Sequence, residues 1–529
     1  MANFQRLACL LLIGAMPSLA LAQACEKQAV FNDSNRNGIF DTKEKGVAGV
    51  AVSNGNHIVY SNAKGLFSLE ASAGQTIFVI KPAGYTLPLR ADGLPDFFSN
   101  QASVDSNLKY GGVKKSDDSC RSFALWPTKE TTQQKTNLDV LLFGDPQPKS
   151  LKDVGYYQQD IVQPIIGKNP AKLGISLGDI VHDDLSLLPE IKHVDKALNT
   201  PWLYAAGNHD LDFDANSDET SLESFRAQFG PDTFAWQEHQ ANFIVLDDVV
   251  YLPRQSPSYI GGLRDTQFHF LARYLARADK SKLLVISAHI PFFQTQSNRE
   301  TFRGQDRKRL FALLEPFKNI LLLTAHSHTQ THFLHNPNTD WFGAGRLYEY
   351  NVGATCGAYW SGIKDAQGIP NSIMSDGTPN GYAKLQIEND DYRLQWFNAR
   401  QNPNQAMALH APKVLRQGAY PGFAIVANVF MAKPETLVEV QIDAGQWQAM
   451  TRVLQTDPAI QEINRLDDMA LQLRSFDRTP EATVSSHLWR FALPTNLALG
   501  AHKITVRASD SWLGEVQQET SYELQQSEP

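Results

Sequence analysis

The stretch NILLLTAHSHTQTH, residues 319–332, joins a short apolar run to three histidines. The run at 320–323 is typical of a strand that is buried on both faces of a sheet. His326 and His328 follow the carboxyl end of that strand, which is where ligands bind in open α/β sheets. An isolated H-x-H is as often a pair of solvated loop histidines, so the interpretation depends on the rest of the chain.

Four further apolar runs end in polar side chains of the same kind. These runs are LDVLLFGDPQ, KLGISLGDIVHDD, WLYAAGNHD and LLVISAHIPF, and their polar ends are Asp145 and Gln147, Asp179, Asn208 with His209 and Asp210, and His289. Carboxylate, amide and imidazole groups are metal ligands. We therefore expect these residues on the same edge of one sheet, where their accumulation indicates a function rather than a requirement of the fold.

Length and composition bound the possible classes of protein. A chain of 529 residues corresponds to three or four domains of about 150 residues each. Its 42% hydrophobic and 20% charged residues are typical of an ordinary folded protein. The net charge of -8, without a basic stripe, argues against nucleic acid as a bulk electrostatic partner. The oligomeric state is left open.

The N-terminal segment 1–22 has the pattern of a secretory signal peptide. Arg6 precedes the apolar stretch LACLLLIGAM, and a Pro17 break and small residues follow. The stretch is too short to span a bilayer, and no other apolar run approaches spanning length. We therefore expect export to the periplasm or secretion. A lipid anchor on Cys25 is a weaker alternative, because Ala22 stands where a lipoprotein signal usually has Leu.

The chain has four cysteines, and the first, Cys9, leaves with the signal peptide. Cys25 and Cys120 bracket the first region and could form a disulfide in an oxidising compartment. Cys356 is then left alone. We interpret it as a small buried residue rather than a reactive thiol, because nothing basic lies beside it in sequence.

The alternation of patterns divides the remaining chain into three regions. Residues 25–128 alternate short β-rich runs with Gly and Asn turns, which suggests a β-sandwich. Residues 137–400 alternate apolar strands with amphipathic helices such as DTQFHFLARYLARA, which is typical of an α/β sheet. Residues 401–529 return to a β-rich pattern. The polar segment PTKETTQQKT links the first two regions.

The first region contains the segment DSNRNGIFDTKE, which has the oxygen-ligand spacing of a calcium loop with Gly38 at its sixth position. The ligand positions are Asp33, Asn35, Asn37, Asp41 and Glu44. The flanks are strand-like, so the expected site is a calcium loop on a β-sandwich rather than an EF-hand pair. An Asx-rich turn without an ion is the alternative.

The central region resembles the calcineurin-like metallophosphoesterase family, whose motifs are D-x-H, GD, GNHD or GNHE, a lone His and GHxH in that order. The resemblance covers 138 to about 330 and implies a four-layer sandwich of two sheets between helices. The flanking regions look like those of exported bacterial members with N- and C-terminal β-domains. The segments CGAYWSG and DGTPNGY look like that architecture's extension of the catalytic core.

The resemblance implies two metal sites that share one bridging carboxylate, Asp179. The further ligands of the first site would be Asp145, Gln147 and His328. Those of the second would be Asn208, His289 and His326. Two metals about 3.5–4 Å apart clamp a phosphate and generate a bound hydroxide near neutral pH. Ligation by oxygen and nitrogen without thiolate fits Mn²⁺, Fe or Zn²⁺ equally well.

His209 would be the acid that protonates the leaving oxygen, and either Asp210 or Asp183 would orient it. His332 has no counterpart in the motifs, and we interpret it as a surface residue.

Two residues of the central region depart from the family motifs. Gln147 replaces the commoner His and is a weaker donor, and Ala325 replaces a Gly, which matters if that position needs a positive φ.

The expected function is the hydrolysis of a small phosphodiester or phosphomonoester by attack of the metal-bound hydroxide. Tyr359, Trp360 and Tyr382 either stack a ring of the substrate or are core aromatics. Two alternatives remain. One is a cell-surface binding protein with a vestigial catalytic core, and the other is a metal-dependent hydrolase of a non-phosphate ester.

Overall fold

The computed structural model describes residues 28–102, 107–114, 121–128, 137–296, 298–388, 391–400, 402–420, 422–472 and 474–526. The predicted signal peptide and the cysteine pair Cys25 and Cys120 lie outside these ranges. Within them, no helix combines the length and the apolar character needed to cross a bilayer.

The N-terminal region forms two small sheets, as its turn-rich pattern predicts. Its strands are β1 Gln28–Asn32, β2 Lys45–Gly46, β3 Ala51–Ser53, β4 Ile58–Tyr60, β5 Leu66–Phe67, β6 Thr76–Val79, β7 Tyr85–Thr86, β8 Phe98–Asn100 and β9 Phe123–Pro127. One sheet has the order β2-β1-β9-β7, with β5 also paired to β1, and the other has the order β4-β3-β6-β8.

The central region alternates strands and helices. Its strands are β10 Leu138–Phe143, β11 Leu173–Leu177, β12 Trp202–Ala205, β13 Phe234–Gln237, β14 Ala241–Val245, β15 Val249–Tyr251, β16 Tyr259–Gly261, β17 Leu283–Ser287, β18 Asn319–Thr324, β19 Thr331–Leu334, β20 Arg346–Asn351, β21 Gly381–Glu388 and β22 Asp391–Asn398. Its helices are α1 Leu151–Tyr157, α2 Leu188–Lys196, α3 Glu223–Phe229, α4 Asp265–Arg277 and α5 Gly304–Leu314.

Most of these strands form two sheets, as the family resemblance implies, instead of the one that the strand ends suggested, and β15 and β16 pair with each other in a separate two-stranded sheet. The first sheet has the order β12-β11-β10-β21-β22, and the second has the order β13-β14-β17-β18-β20-β19. Strands β10, β11 and β12 run parallel, as do β14, β17, β18 and β20. The expectation of a single sheet was wrong because an apolar run reveals that a strand is buried, but not which strand it pairs with.

Helices lie against both sheets and complete a four-layer α/β sandwich. Helices α1 and α2 contact each other, and Tyr157 of α1 packs edge-on against Phe143 of β10. Helices α4 and α5 also contact each other, and Tyr274 of α4 accepts a hydrogen bond from Gln237 of β13. In α4 the buried residues 268, 271 and 275 recur at helical spacing, so one face of the helix covers the sheet.

The C-terminal region is again built from two sheets. Its elements are β23 Met407–His410, β24 Val414–Arg416, β25 Ala424–Val429, β26 Leu437–Ile442, β27 Gln448–Ala449, β28 Thr451–Thr456, α6 Pro458–Asp468, β29 Val484–Ala492, β30 Gly500–Asp510 and β31 Gly514–Gln525. The sheet orders are β23-β25-β29-β28 and β24-β31-β30-β26-β27.

The hydrophobic core is continuous across the first two regions. One cluster of buried side chains extends from Val30 in β1 to Trp396 in β22 and also includes Met431 of the C-terminal region, whereas the C-terminal strands enclose a separate cluster that includes Trp489 and Tyr522. The N-terminal sheets are therefore packed onto the central sandwich as part of one core.

Candidate metal centre

The carboxyl ends of the two central sheets meet at one edge, and the polar residues there adopt strained backbone conformations. Five of the predicted ligands have positive φ values: Asp145 44°, Gln147 43°, Asp179 48°, His326 70° and His328 50°. Left-handed conformations are unfavourable for residues other than Gly and persist only where the surroundings impose them. The turn that follows each strand thus directs the side chain of its predicted ligand toward a common centre.

Asp179, after β11, lies at this centre. Gln147 Nε2 donates to its Oδ2 at 3.2 Å, and His289 Nε2 lies 3.3 Å from its Oδ1. The backbone N–H of His209 donates to the same Oδ1 at 2.8 Å. Asp179 is 1% exposed, so the carboxylate is surrounded by protein. It contacts residues from both predicted metal sites, which is the arrangement that a bridging ligand requires.

The residues predicted for the second metal site converge on the same place. His289 Nδ1 donates to the carbonyl of Leu177 at 2.9 Å, and this bond directs Nε2 toward the centre. That Nε2 lies 3.1 Å from Asn208 Oδ1 and 3.2 Å from His326 Nδ1. Asp179, His289 and His326 place ligand atoms within 4.8 Å of one another. Nitrogen and oxygen donors at these separations fit a divalent transition metal.

The first predicted site is built around Asp145 and His328. His328 Nδ1 donates to the carbonyl of Gly357 at 2.8 Å, which again directs Nε2 inward, 3.6 Å from Asp145 Oδ1. Gln147 here presents its Nε2 to Asp179. Ligation by Gln147 therefore requires the amide to turn over so that Oε1 faces the metal, because only the oxygen can act as a donor atom.

Burial and mutual charge shift the pKa values of these groups strongly. Burial raises the pKa of Asp145 to about 8 and lowers the pKa of His326 to about 3 and that of His328 to about 4. Burial would also lower the pKa of His289, but attraction to Asp179 outweighs it and raises that pKa to about 10. The buried carboxylates thus attract positive charge, and either protons or metal cations can supply it.

His209 lies beside the centre, with a side chain that is 25% exposed and so accessible to a substrate. Its Nδ1 lies 2.6 Å from Asp183 Oδ1, and its Nε2 lies 4.0 Å from Asp179 Oδ2. Burial lowers the pKa of His209, but Asp179 and Asp183 outweigh this effect and raise it overall. The ring is therefore held by one carboxylate while its other nitrogen faces the centre.

Asp210, the other candidate for orienting His209, has a different role in the structure. Its fully buried carboxylate accepts hydrogen bonds from the backbone N–H groups of Gly207, Ile180 and Val181 at 2.8–3.1 Å. Burial raises the pKa of Asp210 to about 7. Asp210 thus ties the loop after β12 to the loop after β11, and Asp183 is the carboxylate that contacts the His209 ring.

Three residues near the centre were not identified from the sequence. His182 stacks on His209 with ring centroids 4.4 Å apart. Tyr259 packs edge-on against His326 at 6.0 Å, and Asp248 accepts from the backbone N–H of His289 at 3.0 Å. His182 lies within the segment GDIVHDD, and Asp248 follows the buried strand β14 by three residues, so both could have been noticed, but Tyr259 follows no strand-end motif.

Of the three aromatic residues considered as substrate contacts, only Tyr359 lies at the edge of the two sheets where the predicted metal ligands meet. Its ring stacks on His328 at 4.3 Å, and the Lys149 ammonium lies 5.7 Å from its centroid. Trp360 is buried and donates to the carbonyl of Pro146 at 2.9 Å. Tyr382 is buried against Phe143. The latter two are core residues.

Two other expectations concern the histidine segment. Ala325 is buried without a positive φ, and the left-handed conformations fall on His326 and His328 instead. The prediction that His332 is a surface residue was wrong. Its ring stacks on Tyr350 at 4.7 Å and meets Trp512 edge-on at 5.7 Å, and burial lowers its pKa to about 3. The C-terminal region covers strand β19, which the sequence of β19 alone does not reveal.

The predicted calcium ligands lie together in one loop. The amide groups of Asn35 and Asn37 donate to Asp41 Oδ2 at 2.7 and 2.9 Å. Asp33 accepts from the backbone N–H of Gly38 at 3.0 Å, and Glu44 Oε1 accepts from Ser34 at 2.7 Å. Gly38 has a φ of 74°, which suits the glycine of the motif.

Cys356 is free and buried, as the sequence analysis predicts, and burial raises the pKa of its thiol. Its Sγ lies 3.7 Å from His328 Nδ1. It therefore forms part of the packing behind the first predicted metal site.

Comparison with solved structures finds, among others, two phosphatases and PhoD. A dimetal phosphatase from Danio rerio is 13% identical, with a TM-score of 0.35, and the match covers 49% of this chain and 95% of that one. Purple acid phosphatase PPD1 from yellow lupin seeds is 12% identical over 66% of this chain and 67% of that one, with a TM-score of 0.37. PhoD is 11% identical over 77% and 89%, with a TM-score of 0.35. No curated protein matches the sequence.

Family profiles match most of the chain. Residues 34–111 match the N-terminal part, 138–330 the central domain and 349–515 the C-terminal part of calcineurin-like phosphoesterases. The central match contains all seven predicted metal ligands. Along the chain, the three matches occur in the order N-terminal part, central domain and C-terminal part. The chain therefore belongs to the calcineurin-like phosphoesterase family and is a metal-dependent phosphoric ester hydrolase.

Proposed function

We propose that the protein is an exported enzyme that hydrolyses a small phosphodiester or phosphomonoester at a binuclear centre of Mn, Fe or Zn ions. The observation that carries this proposal is the convergence on Asp179. Side chains from the ends of both sheets, Gln147 and His289, lie within 3.3 Å of its carboxylate. A single carboxylate in contact with both ligand groups suits a shared metal bridge.

The proposed ligands fall into two groups around Asp179. Asp145, Gln147 and His328 would hold one ion, and Asn208, His289 and His326 would hold the other. When bound, the two ions would supply the positive charge that orients a phosphate and activates water. The hydrogen bonds from His289 Nδ1 and His328 Nδ1 to backbone carbonyls would fix the tautomer in which each Nε2 is a ligand.

The chain would supply the proton for the leaving group from His209. Its Nδ1–H would donate to Asp183, while its Nε2–H faces the centre and would protonate the departing oxygen. Asp183 and Asp179 favour the protonated ring because both are negative and close to it. Tyr359, on His328, and Lys149 beside it would contact the rest of the substrate.

The signal-like segment 1–22 supports export to the periplasm or secretion. Calcium binding is a separate proposal, for the loop from Asp33 to Glu44. The proposed domain boundaries are 25–128, 137–400 and 401–529. Cleavage after residue 22 is checked by N-terminal sequencing of the protein recovered from the cell envelope or medium.

The enzymatic proposal is tested with protein that has been stripped of metal and reloaded with Mn²⁺, Fe²⁺ or Zn²⁺. Its activity is measured against nitrophenyl phosphate monoesters and diesters, nucleotides and phospholipid headgroups. We expect metal-dependent hydrolysis of at least one phosphoester, with two metal ions bound per chain. A stoichiometry of one, or activity that does not require metal, would contradict the binuclear assignment.

A further inference from the structure

The loop that carries the two histidines, residues 326–330 and here called the histidine loop, needs external support. His326 and His328 both adopt left-handed conformations, with φ of 70° and 50°. Such conformations are unfavourable for residues other than glycine and persist when neighbouring groups fix them. The loop contains no glycine that would relieve this cost. Its geometry therefore depends on the groups that bind its backbone.

Two side chains bind the loop downstream of His326. Asn351 Nδ2 donates to Ser327 Oγ at 2.5 Å and to the Thr329 carbonyl at 2.7 Å. Asp376 Oδ2 accepts from the backbone N–H of Gln330 at 2.7 Å, two residues after His328. Asn351 is the last residue of the adjacent strand β20, whereas Asp376 lies in the segment DGTPNGY and is 1% exposed.

Asp376 is in turn held by the C-terminal region. His487 of β29 places Nε2 3.1 Å from Asp376 Oδ2 and Nδ1 2.7 Å from Asn428 Oδ1. The Asn428 amide is oriented by its own donor bonds, to the Asp376 carbonyl at 2.9 Å and to Asp457 Oδ2 at 2.8 Å. Both nitrogens of His487 thus lie within hydrogen-bonding distance of side-chain oxygens that belong to the segment carrying Asp376 and to the C-terminal sheet.

Close packing at Gly377 keeps these groups together. A Cβ atom at this position would lie 2.4 Å from the carboxyl carbon of Asp457 and 2.5 Å from Asn428 Nδ2. Gly377 also has a φ of 87°, a conformation that glycine adopts without strain. The loop that carries Asp376 is therefore seated directly on the C-terminal sheet, and a continuous series of hydrogen bonds connects His487 to Gln330.

We propose that His487 is a positioning residue for the metal centre, acting through Asp376 on the histidine loop. The inference rests on the proposed function, because the loop matters for catalysis only if His326 and His328 hold metal. It assigns a role to the C-terminal region: that region supplies part of the support that keeps the ligand His328 in its strained conformation. Residues that orient metal ligands typically contribute about 10- to 100-fold to metal affinity or activity.

The test compares two substitutions of similar size in the full-length protein. His487→Gln can place an N–H donor where Nε2 lies and so retain the bond to Asp376, whereas His487→Asn can replace only the Nδ1 bond to Asn428. We expect His487→Asn to need about 10- to 100-fold more Mn²⁺ for half-maximal hydrolysis of nitrophenyl phosphate. We expect His487→Gln to stay within a few-fold of the wild type.

A second readout needs neither metal nor substrate. Hydrogen–deuterium exchange of peptides covering 326–332 in the metal-free protein should be faster in His487→Asn than in His487→Gln. His502→Asn is the matched control, because His502 is also buried in the C-terminal region and paired with a carboxylate, Asp443, at 2.8 Å. It should leave both readouts unchanged.

Unchanged Mn²⁺ dependence and unchanged exchange in His487→Asn would overturn the inference, as would an equal effect of His502→Asn. The failure of the proposed function has a different signature, because the wild-type protein would then show no metal-dependent hydrolysis at all. In that case the exchange experiment would still report whether His487 fixes the histidine loop.

Discussion

At the scale of single residues, the contacts of Asp179 distinguish it from the other carboxylates. It is the acidic side chain that contacts Gln147 of one predicted ligand group and His289 of the other. Asp179→Asn would keep the shape of the side chain but remove the charge that two cations would share. We expect hydrolysis to fall by more than about 100-fold and bound metal to decrease.

This prediction is checked by measuring the metal content after gel filtration together with the hydrolysis rate. The control is Asp212→Asn, because Asp212 is also fully buried but binds Ser224 rather than a proposed ligand. Retained metal and a retained rate in Asp179→Asn would exclude the shared-ligand arrangement.

The second residue-scale prediction concerns His209, whose Nδ1 is held by Asp183 at 2.6 Å. A positioned general acid contributes about 10²- to 10⁴-fold when the leaving group is poor. Nitrophenolate leaves readily without a proton, whereas an alkoxide does not. We expect His209→Asn to lose kcat heavily on an alkyl phosphoester and much less on a nitrophenyl ester, with metal content unchanged.

The comparison of kcat for the two substrates isolates the loss of proton transfer, provided that the chemical step limits the rate. Equal losses on both substrates, or release of metal, would indicate that His209 has a ligand or structural role. Asp183→Asn should show the same pattern in weaker form, since Asp183 orients the ring and does not transfer the proton.

At the scale of structural elements, the loop between β1 and β2 is organised around oxygen atoms. Glu44 accepts from the backbone of Ser34 and Asp41 through its two carboxylate oxygens, at 2.7 and 3.2 Å. A ligand that binds only the folded protein stabilises it by about 2.7 kcal/mol when its concentration is 100-fold above its dissociation constant. We therefore expect calcium to raise the melting temperature of the full-length protein, and Glu44→Gln to abolish the rise.

Thermal unfolding with calcium and with a chelator provides the measurement, and magnesium at equal concentration is the ionic control. The protein should first be loaded at its metal centre with Mn²⁺, so that calcium at that centre does not contribute to the shift. A melting temperature that does not respond to calcium would indicate that the segment is an Asx-rich turn that binds no ion.

At the scale of the whole molecule, the N-terminal sheets and the central sandwich share one core. Phe97 packs against Phe234 and Trp236 of β13 with ring centroids 5.2 and 5.9 Å apart, and Lys81 pairs with Glu238 at 2.6 Å. We expect Phe97→Ala to destabilise both regions together, by about 3–5 kcal/mol.

Urea-dependent hydrogen exchange of peptides from both regions measures this effect. Phe491→Ala is the control, because Phe491 packs against the separate C-terminal core. Loss of protection in the N-terminal sheets alone would mean that the two regions unfold independently in spite of their shared core.

The local pattern of the chain determined the elements and the positions of the predicted ligands. Each predicted ligand follows a buried strand by two to four residues, so the apolar run fixes the strand and the turn after it fixes where the polar side chain stands. The resemblance in motif order then assigned Asp145, Asp179, His289 and their neighbours to two metal sites. Neither step needed knowledge of which strands pair.

Only the tertiary structure decided what depends on contacts between distant segments. It divided the strand ends between two sheets, placed Asp183 rather than Asp210 against His209, and brought Tyr359 but not Trp360 to the metal edge. It also partly covered His332 with Trp512 of the C-terminal region. The physical reason is the same in each case: sequence spacing encodes burial and local conformation, whereas strand pairing and packing of one region on another arise from the sum of many distant contacts.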